Sequence, residues 1–426
     1  MYRIITIITF IGAVIISFWW FPASQSLDDM PSKKAVDNLK VGLLLPFSSG
    51  GGEYAQEILE GIQHALSPVL WQNSPALTAV AGFGRQKEYY NKVELIIRDH
   101  QGDHQRAKQL AEQLYTEDRV SILIGGLSSL ESQAYSDIAQ KHQRLFISLL
   151  PRWIEGFATQ PYSISFTASY GWQAKVIADY LINEKHLTSK DIIAIIDDEH
   201  STENLAILQA FASTLQPQTH QDIPPLQVIS LRSPQTILHY PFSTPSSPLD
   251  QTWQDNTEKT WSDIGTTILL SKAKAVSMML SAKDSLPLLL ALERKGYRHI
   301  AMGLDHWEHP SMQQHPWSME IGYVSAADKD FFRKDFVKLY TEQHNKSPSL
   351  LAALGYDVMM WIISLYTKAQ TVRIPPLMKV ISQKTLSRAS ISGTYVLDDG
   401  FLAREMIYIP LNQGTKRLLG THLMAY

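Results

Sequence analysis

The chain has 426 residues, more than one hydrophobic core usually serves, and its 45% apolar and 19% charged residues are those of an ordinary folded protein, so two lobes are expected. Its 38 basic and 41 acidic side chains leave a net charge of -3, and no Lys/Arg-rich stretch interleaves with aromatics, which argues against a nucleic-acid surface. The absence of cysteine excludes disulfides, thiolate metal sites, a cysteine nucleophile and a lipid-modified N-terminal cysteine.

In chain order, Arg3 is followed by an uncharged apolar run from Ile4 to Phe21 and then by Pro22-Ala23-Ser24-Gln25-Ser26, the order of a secretory signal. The run is also long enough to span a bilayer, and Trp19-Trp20 suit an interface. Residues 1–26 are therefore expected to be a signal peptide or an N-terminal membrane anchor, with 27–38 a polar linker and the rest periplasmic or otherwise extracytoplasmic. One phrase then repeats: a β-branched apolar run, a turn rich in Gly, Ser or Asp, and a helix of amphipathic spacing. It predicts strands at 40–47, 93–98, 120–125 and 144–148, with helices at about 53–67, 104–117 and 129–142. Asp103 and Ser128-Ser129 stand at helix starts as N-caps. Residues 70–91 interrupt the pattern as an irregular insertion.

The phrase restarts with a helix at 170–184, a strand at 192–196, a helix at 202–214, strands near 226–231 and 274–280, a helix at 284–296 and a strand at 299–303. Residues 232–260, rich in Ser, Pro, Thr and Gln, read as a surface insertion. From 328 the pattern turns helical, with Phe331, Phe332, Phe336 and Tyr340 assigned to the core, then Leu351 to Leu365, before strands near 394–398 and 405–410. Such β/α repetition gives an α/β protein with parallel sheets, whose ligand sites lie where strands end and helices begin.

The segments Val41-Gly42-Leu43-Leu44-Leu45-Pro46-Phe47-Ser48-Ser49-Gly50, Glu57-Ile58-Leu59-Glu60-Gly61, Val93-Glu94-Leu95-Ile96-Ile97-Arg98-Asp99 and Ile122-Leu123-Ile124-Gly125-Gly126-Leu127-Ser128-Ser129 together resemble the leucine/isoleucine/valine-binding type of periplasmic solute-binding protein. The likeness continues through Phe146-Ile147-Ser148, Ile192 to Asp198, Gly303-Leu304-Asp305 and Ala353-Leu354-Gly355-Tyr356-Asp357, covering roughly 39–415. It implies a type I periplasmic-binding fold: two doubly wound parallel-sheet lobes joined by three crossovers, placed near 166–168, 324–327 and 394–397. The first lobe is then 39–166 plus 326–395 and the second 167–325 plus 396–426. It also implies a small-molecule ligand, such as an amino acid or a related anionic or zwitterionic solute, and a membrane permease of an ABC importer or a membrane receptor as partner. A ligand-sensing receptor subunit, or an interaction module resembling cell-wall synthase activators, is the alternative use of the fold.

By the same resemblance, Ser128 and Ser129 hold a ligand carboxylate at a helix N-terminus, or else simply cap that helix. Leu150 and Arg152 stand where relatives carry a small residue and a threonine, so Arg152 either selects an anion or faces solvent. Asp305 matches the carboxylate that binds a ligand ammonium group, or caps a turn. Tyr54 sits beside the position of an aromatic wall, and Ser281, followed by Lys283, replaces a ring on the second lobe. Asp305-His306-Trp307-Glu308-His309 and His100 with Asp103 and His104 are weak as metal motifs, lacking the spacing of a zinc-protease helix, and no metal or other cofactor is expected. No phosphate-binding loop or Gly-x-Ser-x-Gly is present, so no enzyme is expected.

Overall fold

The computed structural model describes residues 38–67, 92–149, 161–215, 226–232, 237–240, 257–382, 388–391, 393–398 and 401–419. The expected N-terminal signal or anchor, the linker up to residue 37 and the 70–91 insertion lie outside the described residues.

Among the described residues the strands form two eight-stranded sheets. In the first, β1 (Leu39–Leu45), β2 (Val93–Asp99), β3 (Ile122–Gly125), β4 (Leu145–Ser148) and β5 (Ser163–Ser165) lie parallel in the order β2-β1-β3-β4-β5. In the second, β6 (Ile192–Ile196), β7 (Leu226–Ser230), β9 (Ala275–Met278), β10 (Ile300–Gly303) and β11 (Glu320–Ser325) repeat that order as β7-β6-β9-β10-β11, with β8 (Leu238–Tyr240) antiparallel on the β7 edge. The shared order is the doubly wound one, in which the chain starts in the middle and reverses direction, leaving a crevice at the carboxyl ends of the strands.

The helices follow the same rhythm: α1 (Gly52–Ala65), α2 (His104–Thr116) and α3 (Ser129–His142) with the first sheet, α4 (Tyr170–Asp179), α5 (Thr202–Leu215), α6 (Thr257–Ser271) and α7 (Ala282–Arg294) with the second. They are followed by α8 (Lys334–His344), α9 (Leu350–Ala369) and α10 (Ile374–Ser382). Asp103 caps α2 as expected, its carboxylate accepting from the Gln105 and Arg106 amides at 2.7 and 2.9 Å. The helix read as 170–184 is helical to Asp179 and continues as a wider turn over Tyr180–Glu184.

The central strands of the second sheet are buried on both faces, as parallel strands covered by helices must be. Ile192, Ala194 and Ile196 pack with Phe211 and Tyr180 on one side, while Ile193 and Ile195 pack with Val276 and Trp307 on the other. In the first sheet Leu44, Leu123 and Phe146 pack against Leu114 and Tyr135. Helix α9 is long and apolar enough to cross a membrane, yet it is largely buried, with Trp361, Ile362 and Tyr366 in the core. It meets α1 backbone to backbone: a Cβ on Gly61 would run into the Ala352 carbonyl, and one on Gly355 into the Ile58 carbonyl. Of the four aromatics assigned to the core, Phe332, Phe336 and Tyr340 are buried, but Phe331 lies in a short turn before α8 and is 39% exposed.

Two boundaries differ from the sequence reading. Residues 257–260 begin α6, and 238–240 pair with β7, so the proposed 232–260 insertion is shorter; 241–256 lie outside the described residues. The third crossover is at Glu405 rather than 394–397, because β13 (Gly393–Asp398) and β14 (Phe401–Arg404) form a hairpin that stays on the first sheet. Short β12 (Arg388–Ser390) pairs outside it. Residues 396–398 and 401–404 thus belong with the first sheet, and of the described residues that follow, β15 (Met406–Pro410) and β16 (Arg417–Leu419) join the second.

Candidate functional site

All three crossings join the same edges of the two sheets. β5 ends at Ser165 and α4 begins at Tyr170; β11 ends at Ser325 just before the chain re-enters first-lobe helices; β14 ends at Arg404 and β15 starts at Met406. Because β14 runs parallel to β5, and Ile407 of β15 lies opposite Ser325, each link connects carboxyl ends to carboxyl ends. The strand-end turns of the two lobes therefore border one crevice. Trp172 Nε1 of α4 donates to the Arg404 carbonyl at 2.7 Å, and Lys416 Nζ reaches both Asp328 carboxylate oxygens at 2.9 Å and Asp330 at 2.6 Å, so two of the links are tied to neighbouring elements.

On the first-lobe edge, Ser128 caps α3, its hydroxyl accepting from the Glu131 amide at 3.2 Å. Glu131 in turn reaches back and accepts from the Leu127 amide at 3.0 Å. This closes the helix start reciprocally, as in a capping box, and puts the chain's own carboxylate where an anion would gain from free amides and the helix dipole. Ser129 is the first residue of α3, and its side chain is outside the described residues, as are Leu150 and Arg152 entirely. His100, after β2, is 0% exposed, and its Nε2 lies 3.7 Å from Glu131. Burial pulls its pKa below the ordinary imidazole range, against the carboxylates of Glu131, Asp99 and Asp103. Tyr54, in the first turn of α1, is 59% exposed.

On the second-lobe edge, Asp305 follows β10 and is fixed by Gln173 of α4. The Gln173 amide nitrogen donates to Asp305 Oδ2 at 2.9 Å, and the Asp305 amide donates to Gln173 Oε1 at 2.9 Å. The second bond also satisfies a backbone amide at a turn, so Asp305 is both a turn residue and a carboxylate held in one orientation. Its neighbour His306 packs its ring 4.3 Å from that of Tyr170, and Trp307 is buried, donating from Nε1 to Ser285 at 2.9 Å. Ser281 caps α7: its hydroxyl accepts from the Asp284 amide at 3.2 Å and donates to the Asp284 carboxylate at 2.5 Å. Lys283 is exposed.

Sequence reasoning missed several groups on this edge. Asp197, directly after β6, faces solvent, and its pKa is pushed above the ordinary carboxyl range by partial desolvation and by the Asp284 carboxylate, only partly offset by Arg232. Glu308 is likewise raised, by desolvation and then by Asp328. Arg232, the cation at the end of β7, is engaged with Asp198 at 3.1 Å. The Ser-x-x-Glu spacing of Ser128 and Glu131 was readable as a box, whereas Gln173 and Asp305 are 132 positions apart and gave no signal.

Among the described residues no group of three His, Asp or Glu side chains is placed to hold a metal. His309 instead caps the next helical turn, accepting from the Ser311 amide at 3.2 Å. A concavity of about 860 Å³ lies at the opposite edge of the second sheet, lined by Glu320 at the start of β11 and by the turn at Leu411–Thr415, remote from the crevice.

The strand order, the paired edges and the three short links define a type I periplasmic-binding fold. Residues 38–216 match the family described as periplasmic binding protein. That family is one of binding proteins rather than enzymes. No curated protein matches the chain. Among solved structures, the leucine-binding protein LivK of Thermotoga maritima is similar with a TM-score of 0.56 and 15% identity, over 89% of this chain and 97% of that one. LivJ of Streptococcus pneumoniae, in complex with isoleucine, gives 0.55 and 16% over 90% and 99%. A solute-binding protein of Rhodopseudomonas palustris BisB5, in complex with 3,4-dihydroxybenzoic acid, gives 0.55 and 13% over 90% and 95%. At these identities the likeness speaks for the fold alone.

Proposed function

We propose that this is an exported solute-binding protein that closes over an amino acid or related amine-bearing small molecule and presents it to the permease of an ABC importer. The observation that carries the reading is the geometry of the links. Three short crossings at the carboxyl ends of two doubly wound sheets allow hinge closure over whatever occupies the crevice. Asp305, oriented by Gln173, is the group best suited to a ligand ammonium. Export follows from the apolar N-terminal run, and the match to a periplasmic family supports it.

The test is calorimetric titration of the full chain with amino acids, amines, dicarboxylates and aromatic acids, repeated on Asp305→Ala. Binding by the native chain and loss in the variant, at an unchanged melting temperature, support the reading; unchanged affinity in the variant removes Asp305 from the site. A second reading, a receptor subunit or protein-interaction module on the same fold, is favoured by one observation: Glu131 already fills the helix start that would hold a ligand carboxylate. A folded chain that binds none of these solutes would favour it.

A further inference from the structure

The concavity at the far edge of the second sheet plays no part in the crevice. Glu320 on its wall starts β11, whereas the crevice lies at the strand's other end, Ser325, about 17 Å along the chain. Its volume of about 860 Å³ is that of a small-molecule site.

The floor is aromatic. Tyr180, Tyr408 and Trp317 line the cavity and are otherwise buried, and the rings of Tyr180 and Tyr408 stack with centroids 5.3 Å apart. Tyr180 opens the wide π-helical turn Tyr180–Glu184 that ends α4, and Lys185 follows it with Nζ 5.5 Å from the Tyr180 ring centre. Single π turns are rare and recur at functional sites. Another wall, the turn after β15, is held in place. The Leu411 amide donates to the Ile321 carbonyl at 2.9 Å, Asn412 Nδ2 donates to the Met319 carbonyl at 2.9 Å, and Lys416 is gripped by Asp328 and Asp330. The cavity is therefore preformed.

Charge on the lining is uneven. The Glu320 carboxylate is compensated, with Lys185 Nζ at 2.5 Å and the Tyr180 hydroxyl donating at 3.3 Å, and His315 is engaged with Glu293 at 2.6 Å. Arg417 is the remaining cation among the described lining residues. It stands opposite Tyr408 in the antiparallel β15–β16 pair, so the two side chains share one face of the sheet. Its partner is Glu184 at 3.4 Å, with the two side chains 56% and 43% exposed, and an exposed pair of this kind holds little. A ligand anion that takes the guanidinium therefore displaces a weak contact and finds rings beside it.

We infer that this cavity is a second binding site, which takes a singly charged aromatic carboxylate: its ring lies on Tyr180, Tyr408 and Trp317, and its carboxylate in the fork of Arg417. The planar guanidinium matches a carboxylate through two parallel hydrogen bonds, and one uncompensated cation calls for one negative charge. The site goes beyond the solute-binding reading and fills independently of the crevice.

The experiment is calorimetry on the full chain with benzoate, indole-3-acetate, acetate and benzylamine, repeated on Arg417→Gln, Arg417→Lys and Asp305→Ala. Benzoate and indole-3-acetate should bind. Acetate, which lacks the ring, and benzylamine, which carries the ring with the opposite charge, should each be weaker by about tenfold or more. Arg417→Gln should weaken the aromatic carboxylates about tenfold or more, the equivalent of one lost charge-assisted contact, and Arg417→Lys should restore part of that. Arg417 is more than half exposed, so both variants should keep the native melting temperature, which separates loss of binding from loss of fold. Asp305→Ala should leave the affinity unchanged. Binding lost in Asp305→Ala and kept in Arg417→Gln would put the aromatic acid in the crevice, overturning this inference and leaving the solute-binding reading standing. A folded chain that binds neither aromatic carboxylate, or binds acetate as tightly as benzoate, would also overturn it.

Discussion

Glu131→Ala tests how the start of α3 is satisfied. The carboxylate accepts from the Leu127 amide at 3.0 Å, lies at the positive end of a fourteen-residue helix and is only 13% exposed, so water screens it little. A hydrogen bond to a charged group contributes about 1.5–3 kcal/mol, and a carboxylate in the first turn adds about 0.3–1 kcal/mol. Leu127 is only half-buried, so water can replace part of the lost bond. The expected cost is therefore about 2 kcal/mol, read as a fall of roughly 4 °C in the melting temperature if the lobe melts cooperatively. Glu131→Gln keeps an acceptor and loses only the charge, and should cost about half as much. Differential scanning calorimetry of the three proteins gives the order directly. The alanine variant should also gain stabilisation from added sulfate or acetate, because the helix start is then free to take an anion. Equal melting temperatures for all three proteins, with no anion effect, would refute the account of this edge.

Gly61→Ala should destabilise by about 3 kcal/mol or more, since its Cβ meets the backbone of α9 and not a movable side chain; a urea midpoint within error of the native one would contradict the backbone packing. Ser281→Ala removes the cap of α7 and the hydroxyl bound to Asp284, and is expected to cost about 1 kcal/mol by urea unfolding. Asp197→Asn should raise the melting temperature at pH 7. A carboxyl whose pKa is higher folded than unfolded loses stability as pH rises through that range, so the gain should vanish at pH 3, where the native residue is protonated in both states. His64 is buried, with its pKa lowered from 6.5 to about 4 by desolvation, partly offset by the Gln343 amide oxygen 2.7 Å from its Nδ1. The unfolded chain therefore binds more protons between about pH 4 and 6.5, and stability contributed by this site is full above 6.5 and falls by about 3 kcal/mol on acidification; a His64→Phe variant should show a flatter profile of urea midpoint against pH.

Most of the parallel strands were legible because they are β-branched apolar runs, Ile192-Ile193-Ala194-Ile195-Ile196 above all, followed by a turn and a helix. Ser163-Ile164-Ser165 was not, being three residues long with two serines, although it supplies the first crossing. The third crossing was misplaced because Thr394-Tyr395-Val396-Leu397 reads like a final strand leaving for the other lobe; only its pairing with Phe401–Arg404 keeps it on the first sheet, and pairing is not written in local periodicity. The site divides the same way. Caps such as Asp103, Ser128 and Ser281 are local and could be read at once, whereas the Gln173–Asp305 pair and the gathering of carboxylates from three strand ends exist only after the sheet has formed.

The most direct test of the central claim is a distance across the crevice. The chain has no cysteine, so Lys108→Cys on α2 and Gln209→Cys on α5, both exposed, give one donor and one acceptor dye on the two lobes. Solute binding by hinge closure predicts a rise in energy transfer on adding whichever solute binds the crevice in the calorimetric panel, saturating with the calorimetric affinity. Saturable binding with an unchanged distance, or a distance indifferent to every solute tried, would contradict it.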